Sequence, residues 1–277
     1  MRRMLVALVV AGALVASGCG GSEPAPATTA SAPAPKRLQI IFPEGQNVKE
    51  MGERVAAVRK IAIAKRGVTP KLTRQRYLAA VALARPPTPF LKDWKQGSME
   101  GFLFPALYDF TQFTTGKELV DDQLAAFRRT FARVNLSYAN SKNLTPYDVL
   151  KIASMIEKET VAPKERKLVA AVIYNRLRNR MPLGIDATIR YGLDIPGTKS
   201  LTKAAIASDS PYNSRRFPGL PPTPIANPGL ASLKAAAHPA KVDYLYYVRI
   251  PGTTRHFFTS SESEFLRKVC EFGYACN

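Results

Sequence analysis

Residues 144–178 read LTPYDVLKIASMIEKETVAPKERKLVAAVIYNRLR, and the first half of that stretch decides the fold. Thr145 precedes Pro146, and Asp148 follows three residues after the threonine. A threonine cap, a proline where the missing N–H costs nothing and a carboxylate returning to the cap define a helix start. At about 100° per residue, Val149, Ile152, Ala153 and Ile156 form the apolar centre of a predicted helix over 145–160, and Lys158 points roughly opposite. Glu157 and Glu159 then fall on the two flanks, with Leu150 and Ala153 beside the first and Ile152 and Met155 beside the second. Burial beside apolar side chains disfavours an ionised carboxylate, so either glutamate could stay protonated and act as a general acid. Either could equally pair with the basic run Lys164, Arg166, Lys167. Periodicity does not separate them.

Working upstream, GKELVDDQLAAFRRTFARVN predicts a long helix with Leu119, Leu124, Phe127 and Phe131 near one face, buried against the helix that follows. Before it, RLQIIFP reads as a strand, Glu44-Gly45-Gln46 as a turn, and VKEMGERVAAVRKIAIAK and TRQRYLAAVALA as two helices ending at Arg85-Pro86-Pro87. Downstream, GIDATIRYG carries Asp186, Thr188 and Tyr191, and SPYNSRRFPGLPPTPIANPG is a long loop dense in proline, glycine and asparagine. Such a loop suits a cleft wall, where flat side chains stack on sugars and amides bond to hydroxyls. LKAAAHPAKVDYLYYV and HFFTSSESEF supply aromatic strands and a terminal helix. The fold class expected is α+β: a small N-terminal module over 37–98, then a mixed α/β domain over 99–277 bearing the helix with the two glutamates.

The 277 residues carry a formal net charge of +19 and 46% apolar residues, enough for a packed core and for attraction to a polyanion. MRRMLVALVVAGALVASGC joins a basic start to an apolar run too short to span a bilayer, ending Ala16-Ser17-Gly18-Cys19. It resembles a bacterial lipoprotein signal over 1–18, with Cys19 the lipidated first residue of the mature chain. Residues 19–36, rich in Ala, Pro, Ser and Thr, read as a tether. The expected location is outside the cytoplasm on a membrane, which removes nucleic acid from the partners. Cys270 and Cys276 are then placed for a disulfide in an oxidising compartment. No metal or cofactor is expected, because these cysteines, His238 and His256 lack any ligand spacing.

In order along the chain, Glu44-Gly45, MEGFLFPALYDF, ASMIEKET, VIYNRLR, DATIRYG, YNSRRFPGLPPTPIANPG, SLKAAAHPAK and HFFT resemble the YceG-like family of endolytic murein transglycosylases. The resemblance implies a LysM-like module before the catalytic domain. It also implies cleavage of MurNAc-GlcNAc bonds in nascent peptidoglycan strands, leaving 1,6-anhydroMurNAc ends, with cell-wall synthases as further partners. One carboxylic acid can protonate the glycosidic oxygen and, once ionised, take the proton of the C6 hydroxyl as that oxygen closes on C1. A hydrolytic glycosidase instead needs two carboxylates roughly 5–10 Å apart. The resemblance points to Glu157, the first glutamate of E-K-E-T, as acid and base. Asn175, Arg176, Asp186, Thr188, Tyr212 and Asn213 match motif positions that the resemblance implies line the glycan groove or orient the glutamate, with Glu159 a supporting group; Tyr191 and Tyr212 are expected to stack on the sugars, and Arg190, Arg215 and Arg216 to hold the strand partly by charge. Where the family has an amide and a proline, this chain reads LGIDAT, with Gly184 and Ala187. Two other readings stand beside this one: an inactive glycan-binding scaffold, and a muramidase-type hydrolase.

Overall fold

The computed structural model describes residues 34–95 and 97–274. Strand β1 (Leu38–Ile41) turns Leu38 and Ile40 inward and leaves Gln39 and Ile41 at the surface, the two-residue alternation of a half-buried strand. Helix α1 (Val48–Arg66) starts at a reciprocal cap between Asn47 and Glu50 and stops at Gly67, whose φ of 57° continues no right-handed helix. Helix α2 (Arg74–Leu83) starts at Thr73, and β2 (Leu107–Phe110) returns antiparallel to β1 with Leu38 opposite Phe110. The expected boundary between residues 98 and 99 falls between these two hydrogen-bonded strands, and from Pro35 onward the chain packs as one compact unit.

Helix α3 (Gly116–Phe131) is capped by Thr115 and Glu118 and buries Leu119, Leu124 and Phe127. It rests chiefly on α2, the helix before it, rather than on the one that follows. Gly116 permits this, since a β-carbon there would strike the Arg76 carbonyl. Phe127 joins Phe90, Phe102 and Phe131 in an aromatic cluster with ring centroids 5.5, 5.3 and 5.4 Å from its own, one of the denser parts of a core that runs without a break from Leu38 to Ala237.

After the short α4 (Ser137–Ser141) comes α5 (Pro146–Glu159). Its start is the one the sequence predicts: the Asp148 N–H donates to Thr145 at 3.2 Å and the Thr145 N–H to the Asp148 carboxylate at 3.0 Å. Tyr147, Leu150 and every residue from Ile152 to Ile156 are buried, because α5 packs against α6 (Arg166–Arg178), α7 (Asp186–Gly192) and, past the short α8 (Lys203–Ile206), α9 (Leu230–Ala237). The chain closes with the hairpin β3 (Tyr246–Arg249) and β4 (His256–Thr259), Arg249 opposite His256, and α10 (Glu262–Glu271). Glu165 clasps this hairpin to the helices: it accepts the His256 backbone N–H at 3.1 Å and lies 2.8 Å from His256 Nδ1. No helix among the described residues is long and apolar enough to cross a membrane. The signal segment, Cys19 with its lipid, the tether up to residue 33 and Cys276 lie outside the described residues.

Candidate active site

A cleft of about 1030 Å³ opens between the N-terminal helices and the end of α5. Its walls include the start of α1, part of α2, residues 97–100, Lys158 and Glu159, Asp186, Ala187, Arg190 and Tyr191 on α7, and Arg249 on β3. The β–α–α–β segment is thus one side of the cleft itself.

The two glutamates that the helix period left equivalent part company here. Glu157 points to the N-terminus of α9, where it accepts the Gly229 N–H at 3.0 Å and stands 3.8 Å from Arg166 Nη2. Its side chain is 7% exposed and does not line the cleft. An anion at a helix N-terminus is held by the free N–H groups and the helix dipole, so this carboxylate ties the end of α5 to α9. Glu44 faces the same cluster, its carboxyl pushed above the ordinary range by partial burial and then by the charge of Glu157, against the opposing pull of Arg166.

Glu159 lines the cleft. Burial pushes its carboxyl above the ordinary value; the Tyr247 hydroxyl, donating to Oε2 at 3.0 Å, opposes that rise, as do Arg215 and Arg249, while Asp186 adds to it. Tyr247 is itself raised well above its usual value by the same burial and by Glu159. A carboxyl group whose proton is held more tightly than usual, with one edge on a cleft, is suited to deliver that proton there.

Of the other residues singled out in the sequence, the structure brings Asp186, Arg190 and Tyr191 to the cleft, and the rest do not line it. Asp186 accepts from Arg215 Nε at 2.7 Å, and Arg216 pairs with Asp209 at 3.0 Å. Tyr212 packs edge-on to Tyr191, ring centroids 5.1 Å apart, and bonds Thr223 at 2.8 Å. Asn175 donates to the carbonyls of Val242 and Tyr244, both at 2.9 Å, and Arg176 to those of Leu245, Pro182 and Leu183 at 2.6, 3.1 and 2.9 Å. Thr188 bonds Ile185 and Ser214, and Asn213 clamps the carbonyls of Ile206 and Ser208. These buried polar groups hold the loops and the hairpin in place. Gly184 has a φ of 66° and donates its N–H to the Ser214 carbonyl at 2.8 Å; a β-carbon there would sit 3.0 Å from Arg176 Nη1.

Three residues that bear on the site were not singled out in the sequence: Glu100 and Arg249, which line the cleft, and Tyr247, which bonds Glu159. Glu100 is buried and accepts from the Val48 N–H at 3.1 Å, Asn227 at 2.9 Å and Tyr191 at 3.3 Å; burial pushes it up to about 8 despite those bonds. A carboxylate inside the apolar run MEGFLFP was the available signal. Tyr247 and Arg249 had none, since an alternating aromatic strand does not tell which end of which helix it meets.

A sequence model of the YceG-like family matches residues 25–271. An endolytic murein transglycosylase of Streptococcus pneumoniae (strain ATCC BAA-255 / R6) is 30% identical over 249 residues, 86% of this chain and 45% of the relative. One of Bacillus subtilis (strain 168) is 33% identical over 215 residues, 76% of this chain and 59% of the relative. The chain therefore spans about half the length of the curated relatives it matches. The 2.6 Å crystal structure of a YceG-like protein from Listeria monocytogenes aligns with a TM-score of 0.70 at 27% identity, over 83% of this chain and 75% of that one. With its motifs, its fold and nearly its whole described length matched, this chain belongs to the YceG-like family.

Proposed function

We propose that the protein is an endolytic lytic transglycosylase of peptidoglycan, as its relatives are named, and that Glu159 rather than Glu157 is its acid and base. The observation that carries this assignment is the placement of a carboxyl group raised by burial on the wall of the cleft, in bonding contact with Tyr247. Neutral Glu159 protonates the oxygen linking MurNAc C1 to GlcNAc. The C1–O bond breaks, the resulting Glu159 carboxylate removes the proton from the C6 hydroxyl, and O6 closes on C1. The carboxyl group regains its proton, no water is consumed, and the products are an anhydroMurNAc end and a free GlcNAc hydroxyl. Tyr247 steadies the carboxylate between the two proton transfers, since its hydroxyl donates to the ionised form. Tyr191, with Tyr212 packed against it, offers a flat face for a sugar ring. The β1–α1–α2–β2 segment is the part we assign to the LysM-like module, its limit moved from residue 98 to 110 because β1 needs β2. A lipid at Cys19 would keep the cleft near newly made strands.

One observation favours a second reading. Asp186 lines the same cleft as Glu159, so a second carboxylate is at hand for muramidase-type hydrolysis; its ion pair with Arg215 weighs against a role as base. Mass analysis of the fragments from uncrosslinked glycan strands decides between them. Anhydro ends support the transglycosylase, reducing ends the hydrolase, and no fragments a binding protein.

A further inference from the structure

The cleft wall carries four cations, and three of them are occupied. Lys49 is paired with Asp194, Lys158 donates to the Gly45 carbonyl at 3.2 Å, and Arg190 is bonded to the carbonyls of Pro196 and Lys199. Arg249 is exposed, and its guanidinium makes no hydrogen bond or ion pair with another described residue. Its placement is set by β3: residues two apart on a strand share a face, and Tyr247, two positions before it, is bonded to Glu159. Glu159 interacts with it electrostatically but makes no ion pair with it, and burial biases that carboxyl toward its uncharged form, so it offsets the Arg249 charge less than an ordinary carboxylate would. Glu50 and Glu53 also line the cleft and repel an anion from their part of the wall.

We propose that Arg249 is a specificity residue that binds a free carboxylate on the stem peptide of the strand, beside the sugar presented to Glu159; this rests on the transglycosylase reading above. A planar guanidinium forms two parallel bonds to a carboxylate, a match that a neutral sugar does not provide. The sign of the coupling also follows. Arg249 favours the ionised form of Glu159, so a substrate carboxylate that neutralises Arg249 returns the acid toward its protonated, reactive state.

The test compares labelled uncrosslinked strands carrying intact stem peptides with the same strands after carbodiimide coupling has turned their carboxyl groups into methylamides. Binding is read by anisotropy with Glu159→Gln and with Glu159→Gln, Arg249→Gln, neither of which needs turnover. Arg249→Gln should weaken binding to the intact strands about tenfold, the scale of one charge-assisted contact, and leave the methylamide strands as they were. Arg249→Lys should regain part of the loss. Equal weakening on both substrates, or none on the intact one, overturns the assignment. Release of anhydro ends by the unaltered protein is scored separately, so its absence refutes the transglycosylase reading while the binding comparison still decides what Arg249 recognises.

Discussion

Replacing Tyr247 with phenylalanine removes one hydroxyl and nothing else of consequence. The ring keeps its edge-on contact with His256 at 5.4 Å and its tilted one with Phe258 at 5.8 Å. The bond lost is the one to Glu159 Oε2 at 3.0 Å. A hydrogen bond to a charged group contributes about 1.5–3 kcal/mol, and one pH unit corresponds to about 1.4 kcal/mol. Because the hydroxyl donates to the ionised carboxylate, its removal raises Glu159 further, by roughly 1–2 pH units on those figures. The acid must be protonated when substrate arrives, so the alkaline limb of kcat/KM, which reports the free enzyme, should move up by that amount. The assay is release of anhydro ends across the alkaline range, with Glu159→Gln as the blank. A limb that stays in place or moves down would show either that Glu159 is not the acid or that Tyr247 does not bond its ionised form.

Glu159→Gln should reduce turnover by about 10²–10⁴-fold, the usual contribution of a general acid, while Glu157→Gln should retain most activity and cost about 0.5–1 kcal/mol at the α9 N-terminus, read from the urea midpoint. Glu100 has a folded value of about 8 against an ordinary 4.5, so the folded state holds a proton that the unfolded chain releases between those limits. Its contribution is therefore fully present below the lower value and lost at about 1.4 kcal/mol per pH unit as pH rises through the upper one. Glu100→Gln should remove that slope from urea midpoints measured across the window, and an unchanged slope would show that Glu100 does not titrate there. Gly184→Ala should cost about 1–2 kcal/mol for a left-handed backbone, with added pressure on Arg176; an unchanged melting temperature would contradict it.

The start of α5 was legible because its signals are local: Thr145, Pro146 and Asp148 act on one another within a single turn. The same holds for the strand and helix order around it, which follows from runs of apolar residues and their breakers. The choice between Glu157 and Glu159 was not legible, since the helix gives both the same half-sheltered flank. What distinguishes them arrives from far along the chain: Gly229, 72 residues on, takes Glu157, and Tyr247, 88 residues on, takes Glu159. Asn175, Arg176, Thr188 and Asn213 looked like groove residues for a related reason. A polar side chain declares in sequence that it will bond, not whether its partner is a substrate or a carbonyl of its own chain, and here all four satisfy buried backbone or loop groups.

The pairing of β1 with β2 also dictates an order of events for the growing or exported chain. Arg37 and Asp109, bonded across the strand ends, are 72 residues apart, so β1 must wait with an open edge while two helices and a turn pass by. An unpaired strand edge is a template for another chain. Between the emergence of Ile41 and that of Leu107 the protein is thus most vulnerable to sticking to its neighbours, and a fragment ended at residue 98 would hold that vulnerable state permanently.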